Sequence, residues 1–231
     1  MKILSLNSLL LLTMISCASS ADKKNNTADS TNAVSMKESA AANARFDLSL
    51  IKFSENVDDL LKKESLTLKD GTDTESTIMG YETFASSAPQ LMVYNSHVLT
   101  GGKATQQNML VMHYAEKGHQ VNMYELKIYD AAQTSMLEKD LQAKLGKPSF
   151  TEDSGLNKNT IRLDENGDEF KGPREDTKYQ VWEDKNTGVS YFFIEKKVDN
   201  KITYGELTAI NTKSKNAEIW IEFRGFDWYK K

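Results

Sequence analysis

The chain has one cysteine, three prolines and three histidines in 231 residues, and each scarcity excludes something. A lone cysteine, Cys17, has no intramolecular partner, so no disulfide framework holds this fold. Pro89, Pro148 and Pro173 are too dispersed to make a proline-rich linker. His97, His113 and His119 contain no i, i+4 pair of the zinc-protease kind, and no second cysteine could complete a thiolate site. No run approaches the roughly 20 apolar residues that a membrane-spanning helix needs. A Gly-x-Ser-x-Gly elbow, a glycine-rich phosphate loop and a dinucleotide fingerprint are all missing. Positive charge is not in excess either: 29 Lys and Arg against 33 Asp and Glu give a net −4. That balance argues against nucleic acid as a partner and against charge-driven adhesion to anionic lipid.

What is present starts at the N-terminus. Lys2 precedes an apolar stretch, 3–15, centred on Leu9-Leu10-Leu11-Leu12 and followed by Ser16 and Cys17. A stretch this short, broken by Ser5, Asn7, Ser8 and Thr13, fits the core of a secretory signal. Met14-Ile15-Ser16-Cys17 resembles the lipobox of bacterial lipoproteins, with methionine where leucine is usual. The resemblance implies removal of residues 1–16 and acylation of the Cys17 thiol by three chains. At about 0.8 kcal/mol per buried methylene, such an anchor is effectively irreversible. Ala18, rather than an aspartate, follows the cysteine, which under the best-known sorting rule implies the outer membrane. Asp22 beside Lys23 and Lys24 does not select its periplasmic or external face.

Residues 17–44 are expected to form the lipidated N-terminus and a disordered linker. Only Val34 and Met36 are large and apolar there, too little to offset the entropy of ordering. As a flexible coil the segment reaches about 30 Å. Residues 45–231 are ample for a packed domain. Loss of Lys2 with the signal takes the net side-chain charge from −4 to −5.

The domain reads as α+β, with antiparallel sheet and two main helices. Ser54 is an N-cap candidate for a helix over 55–63 carrying Val57, Leu60 and Leu61 on one face. Asp130, with Gln133 three residues on, starts a second helix bearing Leu137, Leu141 and Leu145. Gly146 and Pro148 end it. Strands are expected over 108–115 and 120–129 around Lys117-Gly118, over 179–183 and 189–197 around a longer turn, and over 203–210. A last strand over 217–223 would put Ala217, Ile219, Ile221 and Phe223 on one face and Trp220 on the other. Weaker strands are expected over 46–53, 77–84 and 91–99. Each helix follows an aromatic residue, Phe53 or Tyr129, and precedes several strands. That order raises the hypothesis of a duplicated helix-plus-sheet unit, with sub-units 45–129 and 130–231.

The Leu145-Gly146-Lys147-Pro148 turn, then Tyr179-Gln180-Val181-Trp182 and Tyr191-Phe192-Phe193, resemble small outer-membrane lipoproteins of the SmpA/OmlA type and β-lactamase-inhibitor-protein-like modules. The resemblance covers about 50 residues and implies a protein-binding or scaffolding role rather than catalysis. Asp164, Asn166, Asp168 and Glu175 have the 1, 3, 5, 12 spacing of a calcium loop, but Gly167 stands at position 4 rather than 6. A polar turn is the better reading, and no metal or other cofactor is expected. No catalytic residue is nominated. The candidate binding surface is Trp182, Trp220, Trp228 and Tyr229. The expected function is an outer-membrane-anchored, non-enzymatic module with an envelope protein as partner. An immunity or inhibitor lipoprotein, or a glycan-binding one, is the alternative.

Overall fold

Alternating apolar residues build one antiparallel sheet whose two faces are covered by different helices. The computed structural model describes residues 46–72, 78–103, 105–155, 161–163 and 165–226. Cys17, Trp228 and Tyr229 lie outside them, as do the signal and linker segments. The main strands are β1 (Tyr81–Ser86), β2 (Met109–Ala115), β3 (Val121–Ile128), β4 (Phe150–Gly155), β5 (Glu175–Asp184), β6 (Val189–Val198) and β7 (Lys201–Asn211). They are ordered β1-β2-β3-β7-β6-β5-β4, and every neighbouring pair is antiparallel. Helices α1 (Val57–Lys63), α2 (Ala131–Leu145) and α3 (Ala217–Phe223) complete the fold. The described residues all fall in one compact unit. Among them no helix is long and apolar enough to cross a membrane.

The first sheet face carries Leu110, Met112, Tyr124, Leu126, Trp182, Tyr191, Phe193 and Leu207, packed under Leu60 and Leu61 of α1 and Leu137 and Leu141 of α2. The opposite face carries Met123, Val181, Phe192 and Ile210 under Ala217, Trp220 and Ile221 of α3. Helix α2 comes close enough to β7 that a methyl group on Gly205 would lie 2.4 Å from the Thr134 side chain. Thr134 is itself fully buried, with its hydroxyl donating to the Asp130 carbonyl. The small residue is therefore what lets the helix lie down on the strand.

Helix α2 forms where the sequence puts it. The Asp130 carboxylate accepts the Gln133 N–H at 2.8 Å, and Gly146 at φ 80° ends the helix. The Gln133 side chain does not return to the cap. It donates to the Thr100 carbonyl and accepts from Asn108 Nδ2, tying α2 to the preceding loop. The β2–β3 and β5–β6 hairpins also form as expected, with Gly118 and Gly188 at positive φ in their turns.

Five expectations are corrected. Helix α1 starts later, because Asn56 rather than Ser54 is the cap: its Oδ1 accepts the N–H groups of Asp58 and Asp59. Residues 46–53 form no strand. Asp47 accepts the N–H groups of Ser49, Asn95 and Ser96, which bends the chain into a 3₁₀ turn, Leu48–Leu50. Residues 91–99 make only a two-stranded ribbon, because Asn95 and Ser96 both adopt positive φ and reverse the chain. Residues 217–223 are helix α3, not strand. Their buried positions, Ala217, Trp220 and Ile221, have i, i+3, i+4 spacing. Gly225 at φ 68° and the Phe226 N–H bond to the Ile221 carbonyl close the helix with the 6→1 bond of a Schellman turn. Of the expected strand over 77–84, Thr77 lies outside the described residues, and the strand that forms is Tyr81–Ser86.

Candidate functional site

The residues proposed from sequence as a surface divide sharply. Trp182 and Trp220 are 1% and 0% exposed, so neither ring presents a surface to a partner. Trp182 packs near Phe193 at 6.5 Å, and its Nε1 donates to the Gly146 carbonyl at 2.9 Å, so it staples the end of α2 to the sheet. Trp220 meets the edges of Tyr81 and His113, each with centroids 5.0 Å apart. Trp220, expected on the charged face of a strand, is instead the inward residue of a helix and belongs to the core.

Under α3 lies a cluster that no single stretch of sequence announces. His113 on β2 and Glu125 on β3 are both on the sheet face below the helix, and His113 Nε2 is 2.9 Å from Glu125 Oε1. Arg224, the residue after α3, pairs with the same carboxylate oxygen and lies 3.0 Å from His113 Nε2. Lys127 approaches the other oxygen at 3.5 Å. The Glu125 and His113 side chains are 3% and 0% exposed. His113 Nε2 can donate to Glu125 or accept from Arg224, but not both while the ring is neutral. Burial holds the His113 pKa below its ordinary value, against the pull of Glu125. Burial pushes Glu125 up, but the His113 hydrogen bond and the Arg224 charge outweigh it and hold the carboxyl below its usual range. The cluster is thus an ionised carboxylate clamped by a guanidinium, with a neutral imidazole alongside.

Its geometry is that of a clasp: the His113 and Glu125 side chains are buried, Arg224 and Lys127 reach them from partly exposed positions, and the Arg224 pair ties α3 to the sheet. Asn216, at the other end of the helix, donates to the Tyr81 hydroxyl at 2.7 Å. A consequence for pH follows. In the unfolded chain His113 takes up a proton near pH 6.5, whereas in the folded chain it does so only at lower pH. Stability is therefore lost as pH falls below about 6.5, and Glu125 adds a second loss below about 4.5. Thermal melts from pH 7.5 to 5 should show a fall in Tm that is smaller in His113→Gln; an identical fall in both chains would contradict this assignment.

The other two histidines also pair with a carboxylate of another element. His97 Nδ1 lies 2.7 Å from Asp140 on α2, and His119 Nδ1 lies 2.5 Å from Asp58 on α1. They act as staples between helices and turns. Among the described residues no group of three or more His, Cys, Asp or Glu could hold a metal ion. In the stretch with calcium-loop spacing, Gly167 turns at φ 85° between two short paired strands, Ile161–Leu163 and Glu169–Lys171. Glu175 belongs to β5, and Asp164 lies outside the described residues.

What α3 shows to solvent is different in kind. Ile219 and Phe223, one turn apart, are each 48% exposed, between the exposed carboxylates of Glu218 and Glu222. The Arg224 guanidinium sits 5.3 Å over the Phe223 ring. Met79, two residues before the Tyr81 that supports α3, is 97% exposed. No protein-family model, no curated protein and no solved structure matches the chain. The functional reading therefore rests on this surface and the clasp beneath it. Neither Ile219 nor Phe223 was separable in sequence from the core residues between them. The signals that could have done so are Asn216 before and Gly225 after a seven-residue segment with helical spacing.

Proposed function

We propose that this protein is a lipoprotein anchored in the outer membrane through acyl chains on Cys17, whose α+β domain is a non-enzymatic module that binds an envelope protein. The observation that carries the reading is the outer face of α3. Two large apolar side chains stand half-exposed on a short helix that is fixed from below by Trp220 and by the Glu125–Arg224 pair. Holding apolar groups rigidly at the surface lowers the ordering cost of binding. The flanking Glu218 and Glu222 suit a partner with an apolar pocket and a basic rim. The polar cluster that most resembles catalytic equipment has its His113 and Glu125 buried under the same helix and serves to hold it.

Phe223→Asp should abolish partner capture from solubilised envelopes while the domain stays folded, with a modest fall in melting temperature because the half-buried ring packs on Trp220 and under the Arg224 guanidinium. Capture unchanged by this substitution would remove α3 from the proposal. The lipid anchor has its own check: Cys17→Ser should release the protein from the membrane fraction, and retention there would refute it.

The fold itself is proposed to be a duplicated helix-plus-sheet unit. The first half carries α1 ahead of β1–β3 and the second carries α2 ahead of β4–β7, with α3 following β7; the last strands of the two halves, β3 and β7, pair antiparallel. Both helices pack on the same sheet face. In a crystal structure, one near-two-fold rotation should bring α1 onto α2 and β3 onto β7; if it does not, the halves are unrelated.

A further inference from the structure

Helix α3 covers only one end of its sheet face. Farther along, Tyr204 and Glu206 continue the alternation of Thr208 and Ile210 on β7, and Lys196 of β6 pairs with Tyr204. Together with Gln106, Tyr129 and Thr203 they line an open recess of about 370 Å³. We propose that this recess binds a saccharide, specifically an uncharged pyranoside with adjacent hydroxyl groups.

The lining decides the ligand class. Tyr129 and Tyr204 pack against each other with ring centroids 5.1 Å apart and planes tilted by 48°, and both half-buried rings contribute aromatic carbon to a lining that is otherwise polar. The face of a pyranose ring offers C–H groups to such surfaces, while its rim offers hydroxyls that both donate and accept. Glu206 and Gln106 supply two planar polar ends, one an acceptor only and the other with both functions. The Lys196 ammonium, 5.6 Å from the centre of the Tyr204 ring, supplies a donor. The Tyr204 hydroxyl donates to Glu206, which fixes both groups before any ligand arrives. The recess is of the size that small-ligand sites occupy, roughly 300–1,000 Å³.

Other classes fit less well. A phosphate or nucleotide would find one ammonium and one carboxylate, with no net positive charge to hold it. A purely apolar ligand would strip water from Glu206 and Lys196 without replacing it, a costly exchange. A neutral polyol with one apolar face satisfies both requirements. The recess and the outer face of α3 share no residue, so each proposal stands or falls alone.

The test is calorimetric titration of the full-length chain, in a non-glycosidic detergent, with four uncharged oligosaccharides: cellohexaose, maltohexaose, chitohexaose and laminarihexaose. At least one should give a saturable heat. Tyr129→Ala and the isosteric Glu206→Gln should each weaken that binding tenfold or more, Tyr129→Phe should keep it, and Phe223→Asp should leave it unchanged. No heat with any of the four probes would overturn the proposal. So would affinity in Tyr129→Ala and Glu206→Gln equal to that of the unmodified chain.

Discussion

Trp182→Ala should cost about 3–5 kcal/mol of folding stability, the range for removing a large aromatic side chain from a core. The indole is 1% exposed and packs against Phe193 within the main hydrophobic cluster. It also donates to the Gly146 carbonyl, at the point where α2 turns back toward β4. Two losses therefore combine: a cavity under α2, and a lost hydrogen bond at the helix end. Trp182→Phe separates them. It keeps most of the ring volume and removes the donor; Gly146 is exposed, so water can answer its carbonyl, and about 0.5–1.5 kcal/mol of the cost is the lost hydrogen bond. Chemical denaturation of the two variants measures both. A loss below 1 kcal/mol for Trp182→Ala would show that α2 is not held through this ring.

Glu125→Ala is expected to be comparably damaging, by about 3–5 kcal/mol, because it strands the charge of Arg224 beside His113 with no carboxylate to answer it. The effect should be local in its structural consequence. Arg224 follows α3 directly, so hydrogen exchange should rise first in residues 217–226 while α2 stays protected. The double variant Glu125→Leu with Arg224→Met should recover much of the loss, since an apolar pair of similar volume can replace a buried ion pair. If the double variant is no more stable than Glu125→Ala alone, the cluster holds α3 by some route other than the charge pair.

Much of the architecture was legible because its signals were local. Asp130, the leucines at 137, 141 and 145, and Gly146 define α2 without help from any distant residue. The hairpins around Gly118 and Gly188 are equally local, a glycine turn between two runs of strand-forming residues. The misread segments depend on distant partners. Residues 46–53 alternate well enough for a strand, but Asp47 is claimed by the N–H groups of Asn95 and Ser96, far along the chain. Phe53 even takes φ 61°, with its ring stacked 5.8 Å from Tyr124.

Segment 217–223 is the instructive failure for the candidate site. Ala217, Ile219, Ile221 and Phe223 satisfy period two, and Ala217, Trp220 and Ile221 satisfy helical spacing. Seven residues cannot arbitrate between the two. A strand would put Trp220 on the face opposite Ile219 and Phe223 with the charges; the helix buries Trp220 and exposes the other two. His113, Glu125 and Arg224 were unreadable as a group for a related reason. Their meeting requires the β2–β3 register, including its irregularity after His113, and the return of the chain end across the sheet.

The central claim is that the outer face of α3 meets a partner at the envelope. The most direct measurement places a photo-crosslinking residue at position 223 of the full-length protein in living cells, with a matched chain carrying it at position 50 on the exposed Leu50 side. The account predicts one discrete adduct from position 223, absent from position 50 and lost when Ile219 is replaced by Asp in the same chain. No adduct from position 223, or the same adducts from both positions, would contradict it.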